Sequence, residues 1–189
     1  ADLISFVRNF SNANNSCGIA WLLGGGQEPI SNDMAYAAVS VVSDSNGINF
    51  PDGGYVCRDE TFVHELGHNM GSNHDEVTSR GEDGVLDPED YGAYAYSFGY
   101  KSSVGNFYTI MAYKDDGQYG YRVFSNPRIT SCGGYACGSD TADNARSLGQ
   151  TIPMVAAFLT GTGHAKVRHD FDRDGRSDIL WRHASTGNN

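Results

Sequence analysis

His64, Glu65 and His68, followed by Gly71 and His74, set three imidazoles and one carboxylate close together in the chain. Two histidines four residues apart leave a helix on the same side. A helix over residues 62 to 70 would therefore let His64 and His68 grip one metal ion. Phe62, Leu66 and Met70, with Val63 beside them, fall on the opposite side and are expected to pack, so that the histidine side faces a cleft. Gly71 stands just past the helical pattern, where a residue free to adopt positive φ ends a helix most easily. The turn it permits would return His74 as a third ligand. Three neutral imidazoles suit zinc and leave one tetrahedral position for water, and Glu65 is placed to take that water's proton once the metal lowers its pKa towards ~7. A structural zinc site instead closes its shell with four protein ligands, often cysteines.

The complete pattern H-E-x-x-H-x-x-G-x-x-H resembles the signature of the metzincin zinc metallopeptidases, which pair it with a downstream Met-turn. Thr109-Ile110-Met111-Ala112-Tyr113 is the matching segment, and the resemblance makes Met111 the hydrophobic floor beneath the zinc ligands. Asp75, directly after the third histidine, is similar to the acid of the adamalysin/reprolysin branch that buttresses the site. Tyr113, two residues after Met111, resembles instead the tyrosine of astacins and serralysins, whose phenol sits near the metal and could donate to a developing oxyanion. Packing is the other reading of Tyr113. The segments Cys17 to Leu22, Phe124 to Pro127 and Ala142 to Arg146 look like those of secreted bacterial reprolysin-like enzymes, including the peptidyl-Asp metalloendopeptidases, which cut on the amino side of aspartate. That preference needs a cation in the pocket for the residue after the scissile bond. Lys114, Arg122 and Arg128 follow the Met-turn and are the candidates, with an arginine favoured because its planar fork holds a carboxylate bidentately. Solvation at the surface is the alternative for each.

Behind these residues stands a chain of 189 amino acids, enough for a domain of ordinary size. Its 23 acidic and 13 basic residues give a formal charge of −10, which argues against nucleic acid or an anionic membrane as the main ligand. No run reaches the roughly 18 to 20 apolar residues that cross a bilayer. The first residues also lack the charged-then-apolar pattern of a signal peptide, so a secreted protein would already have lost its targeting segment. The four cysteines allow three pairings, and none joins the histidines in a zinc-finger spacing. Cys132 to Cys137 could close a short glycine-bearing loop, leaving Cys17 to meet Cys57. Four free thiols are the alternative, less suited to an exported enzyme.

The elements that must hold the site are legible in outline. Asp2 to Phe10 reads as the end of a helix. Cys17 to Leu23 and Ala35 to Val42 read as strands, the second as an edge along which substrate could extend, or else an interior strand. Gly81 to Asp90 reads as a solvated acidic loop. Tyr94 to Tyr100 and Phe107 to Met111, with Gly105-Asn106 between, predict a hairpin delivering the Met-turn. A helix over about Ala142 to Leu159 repeats apolar residues at Ala145, Leu148, Ile152, Val155 and Leu159, with Pro153 expected to kink or divide it. Together with the resemblance these imply an α/β (α+β) fold: a twisted mixed sheet with an active-site helix, a Met-turn and a C-terminal helix. Only 63 residues precede His64, fewer than the resemblance implies. Part of the upstream fold is thus expected to be missing, with exposed sheet edge and apolar face and a separate N-terminal segment or propeptide as partner.

The division expected is a catalytic domain over 1–160, a linker over 161–168, and at 169–189 the start of a second module. There Asp170, Asp172, Asp174 and Asp178, with Gly175, resemble the calcium loop of FG-GAP/VCBS repeats; a disordered acidic tail is the alternative. His164, His169 and His183 show no ligand spacing. The function implied is a secreted zinc endopeptidase acting on protein or peptide substrates, with Glu65 as base, Tyr113 assisting and calcium as a second ion. A metal-stabilised binding or adhesion module without turnover is the alternative, and a fourth protein ligand on the metal would favour it.

Overall fold

The computed structural model describes residues 2–14, 16–44 and 57–158. The expected α+β architecture is present as small mixed sheets with few helices. The first sheet has the order β1 (Ile4–Arg8), β3 (Val39–Ser43), β2 (Gly18–Ala20), with β1 parallel and β2 antiparallel to β3. Two expectations are corrected here. The segment around Ile4 is a strand, not a helix end: its β-branched and aromatic residues suit either period, and main-chain pairing with Val39–Ser43 decides for the sheet. The strand expected at Ala35 to Val42 begins only at Val39, after a 3₁₀ turn over Asn32–Ala37, and lies in the middle of the sheet. The edges are β1 and β2.

One face of this sheet packs on α1 (Glu60–Asn69). Asn69 Nδ2 donates to the carbonyls of Trp21 (3.1 Å) and Val39 (3.2 Å), joining helix to sheet through a fully buried amide. The other face is left uncovered by the described residues. Phe6 and Ile19 both pair with Val41, so all three stand together, and Phe6 and Ile19 are 61% and 65% exposed.

After α1 come β4 (Asn73–Asp75) and the single turn α2 (Glu76–Ser79); β4 pairs in parallel with β5 (Phe98–Gly99). The expected hairpin is shorter than its apolar pattern. It pairs β6 (Lys101–Ser102) with β7 (Phe107–Tyr108), turning through Asn106 at positive φ, while Phe98 and Gly99 serve β4. β8 (Tyr119–Gly120) adds in parallel to β7. Below this sheet Phe107 packs with the Cys132–Cys137 disulfide, and Cys17–Cys57 forms the other bridge, so the paired-cysteine reading holds.

α3 (Asn144–Val155) is capped by Asp143, which accepts from the Arg146 N–H at 3.0 Å. Its buried positions are Asn144, Ser147, Leu148, Thr151 and Val155, while Ile152 is exposed. The apolar repeat misplaced the stripe because hydroxyls take part in the packing: Thr151 Oγ1 donates to the Met70 carbonyl at 2.7 Å, and Ser147 bonds Ser97 at 2.7 Å. Pro153 does not divide the helix, which runs on to Val155. Leu159, the linker, the aspartates from Asp170 to Asp178 and the three later histidines lie outside the described residues. Among the described residues no helix is long and apolar enough to cross a membrane.

Candidate metal centre and active site

α1 spans Glu60–Asn69 and therefore presents His64, Glu65 and His68 from one rigid element. Its end is a Schellman turn. Gly71 has φ 84°, its N–H meets the His68 carbonyl at 2.9 Å, and the Ser72 N–H meets the Gly67 carbonyl at 2.9 Å. β4 then carries His74 back towards the helix.

The three Nε2 atoms converge into a triangle with sides of 3.1, 3.2 and 3.2 Å. Nitrogens about 2.0–2.1 Å from a tetrahedral zinc would stand about 3.3 Å apart, so the residues present fit that ion closely. Two of the remaining ring nitrogens are committed elsewhere: His64 Nδ1 donates to the Ile110 carbonyl and His68 Nδ1 to the Ser72 carbonyl, both at 2.8 Å. A proton kept on Nδ1 leaves the Nε2 lone pair for a metal. Burial lowers the pKa of all three. His68 falls to about 3, helped by the charges of His64 and His74. His74 falls to about 4, helped by His64 and opposed by Asp75. All are neutral at pH 7. Among the described residues the metal-binding group is these three alone.

The side of α1 that buries most is not the expected one. Glu65, Gly67, His68 and Asn69 are buried, Phe62, Leu66 and Met70 only partly so, and Val63 is 37% exposed. The physical reason is the Met-turn, which packs against the chemical face. Met111 is fully buried, and a Cβ on Gly67 would lie 2.4 Å from its Sδ, so that helix position must lack a side chain. Glu65 is buried by the edge strand, where a Cβ on Gly18 would lie 2.3 Å from its Oε1. Burial raises the Glu65 pKa to about 7, a value matched to accepting and returning a proton near neutrality.

Asp75 is buried beneath the site. Oδ2 accepts from Thr78 Oγ1 (2.6 Å) and from the Tyr113 N–H (3.1 Å), and Lys101 Nζ lies 3.3 Å from Oδ1. Burial opposes its charge, yet the Thr78 and Tyr113 hydrogen bonds and Lys101 outweigh that and hold the carboxyl below its usual range. The Tyr113 ring lies 4.3 Å from that of His74 and 6.0 Å from that of His64. Burial, then the charges of Glu65 and Asp75, raise its pKa, so the phenol keeps its proton as a donor.

A cavity of about 570 Å³ opens beside the triad, bounded by β2, the start of α1 and the Met-turn, and lined in part by His64, Glu65, Tyr113 and Lys114. Arg122 and Arg128 are not among its lining residues. Arg122 meets Glu60 at 2.7 Å and Asp59 at 3.6 Å; Arg128 holds Asp143 in a fork at 2.5 and 2.9 Å. Sequence reasoning missed Asn69, Thr78, Lys101 and, in the cavity wall, Arg58 and Tyr108. Their spacing carries no signal, because each is brought to the site by a different element.

The chain matches the model of the reprolysin-like metallopeptidase family M12B over residues 1–142 and belongs to that family. It is 31% identical over 170 residues, 84% of this chain and 26% of the relative, to a peptidyl-Asp metalloendopeptidase of Pseudomonas aeruginosa. It is 37% identical over 100 residues, 52% of this chain and 21% of the relative, to a peptidyl-Asp metalloendopeptidase of Xanthomonas campestris pv. campestris. The chain thus spans about a quarter of the length of these curated relatives. Among solved structures it is similar to one titled a chaperone–substrate complex, with TM-score 0.48 and 18% identity over 84% of this chain and 20% of the other; nothing about function rests on that likeness.

Proposed function

We propose that this chain is the catalytic region of a secreted zinc-dependent endopeptidase that cuts on the amino side of aspartate. The observation that carries the reading is the Nε2 triangle of His64, His68 and His74 with Glu65 beside it on the same helix. Zinc held there would polarise a scissile carbonyl and lower the pKa of an attacking water. Glu65 would take the proton of that water and return it to the leaving amine, its raised pKa suiting both steps. The protonated Tyr113 phenol would donate to the oxygen on which charge develops. Substrate would run along the free edge of β2, adding main-chain hydrogen bonds to the sheet.

Family membership supports the peptidase chemistry, and the names of the two relatives support the aspartate preference. The two disulfides support an oxidising, extracellular location. The test is to incubate the zinc-loaded protein and its Glu65→Ala variant with a complex peptide mixture and to map new amino termini by mass spectrometry. Cuts from the unaltered protein alone, enriched in aspartate at the new terminus, are expected. No cuts from either would overturn the peptidase reading; cuts without that enrichment would overturn the aspartate preference.

A further inference from the structure

Eight lysines and arginines lie among the described residues, and two of them, Arg58 and Lys114, line the cavity beside the histidine triad. Most of the others are already engaged. Lys101 serves Asp75 and Asp115, Arg122 serves Glu60 and Asp59, Arg128 serves Asp143, Arg8 bonds Ser16 and Ser43, and Arg146 lies over the Tyr96 ring. No ion pair within 4 Å joins Arg58 or Lys114 to a carboxylate of the described residues. In a chain of net charge −10, two cations in the wall of the cleft thus stand outside the ion pairs of the described residues. Glu60, in that wall, is paired with Arg122 at 2.7 Å and feels the charge of Arg58 without an ion pair to it.

The two cations are held differently. Arg58 directly follows Cys57, whose bridge to Cys17 ties it beside the edge strand β2, and it directly precedes the turn into α1. Its Nη1 donates to the Tyr108 hydroxyl at 3.1 Å, which orients the guanidinium across the cavity wall from β7. That bond uses one of five N–H groups in a planar fork, and the remainder suit the two oxygens of a carboxylate. Lys114 is a point charge on a flexible stem at the exposed end of the Met-turn.

We infer that Arg58, steadied by Tyr108, is the residue that reads an acidic substrate side chain entering this cavity. The inference rests on the proposed aspartate preference and names the group that would produce it. Arg58 precedes α1 rather than following the Met-turn, and of the three cations that the sequence suggests only Lys114 lines the cavity with it.

The test compares the zinc-loaded protein with Arg58→Ala, Arg58→Lys, Lys114→Ala and Arg128→Ala on matched peptides bearing Asp or Asn after the scissile bond, with melting temperatures to confirm folding. The kcat/KM ratio of Asp over Asn should fall about 100-fold in Arg58→Ala and recover in part in Arg58→Lys, because an unmet buried carboxylate is rejected strongly. It should persist in Lys114→Ala and Arg128→Ala. Calorimetry in a Glu65→Gln background gives a second readout free of turnover: the Asp peptide should lose its binding advantage when Arg58→Ala is added. A preference retained in folded Arg58→Ala, or lost instead in Lys114→Ala, overturns the assignment of Arg58 alone. An unaltered protein that cuts both peptides equally overturns the aspartate reading itself.

Discussion

The Asp75 carboxylate accepts a hydrogen bond from the backbone N–H of Tyr113 at 3.1 Å, joining the residue after the third histidine to the turn that carries Met111. A carboxylate so placed fixes both the path of β4 and the position of the Met-turn. Asp75→Asn keeps the shape but loses the charge facing Lys101. The Asp75 carboxyl is depressed, so its contribution is present above the unfolded value of ~4 and disappears as pH falls through the lower folded value. The variant should be about 2 kcal/mol less stable at pH 7, with the gap closing at strongly acidic pH. Urea unfolding across that range checks it; a gap that stays constant into acid would show that the charge is not responsible.

Glu65 has the opposite sign. Burial raises its folded pKa to about 7, so in the metal-free protein its favourable contribution is complete below the unfolded value of ~4.3 and is lost as pH rises through 7. Metal-free Glu65→Gln should be about 2 kcal/mol more stable than the parent at pH 8 and equal to it near pH 4. With zinc it should bind the metal and fail to turn over. Parallel unfolding curves at both pH values would contradict the pH dependence.

The imidazoles of the triad are held neutral by burial, His68 down to about 3 and His74 to about 4. Unfolded histidines titrate near ~6.5, so the triad's contribution to metal-free stability should be full above that value and be lost as pH drops from there through 4. Zinc binding at pH 6 should then release almost no protons from His68 and His74, and fewer from the triad as a whole than the about two expected of unperturbed imidazoles. Calorimetry in buffers of different ionisation enthalpy, on Glu65→Gln to remove the carboxylate, measures that number directly.

The disulfides should differ in worth. Cys17–Cys57 spans a sequence separation of 40 and Cys132–Cys137 one of 5. Loop closure assigns them about 4 and about 2 kcal/mol respectively. Replacing each pair by serine and comparing guanidinium midpoints tests the order. Equal losses would mean that local packing, not chain entropy, sets their value.

Much of the chemistry was readable because it is local in the chain. His64, Glu65 and His68 share one helix, Gly71 ends it at positive φ, and His74 follows within the same turn, so residue type and spacing alone locate the triad. Met111 and the paired cysteines were also legible, through the family pattern and through loop length. What depends on contacts distant in sequence was not. The segment around Ile4 carries apolar residues compatible with helix or strand, and only pairing with β3 decides between them. The strand expected at the edge, β3, is interior because it finds a partner on both sides, β1 and β2, a property of three segments together. Arg128 has the right type and distance from the Met-turn for a pocket cation, yet Asp143 at the start of α3 claims it, while Arg58 reaches the cavity from the chain before α1. Sequence by itself determined which groups can bind a metal and move a proton, since these are properties of side chains at helical spacing. Tertiary structure alone decided which charges are neutralised and which face the cleft, because a charge's fate depends on whatever the fold brings within a few ångströms of it.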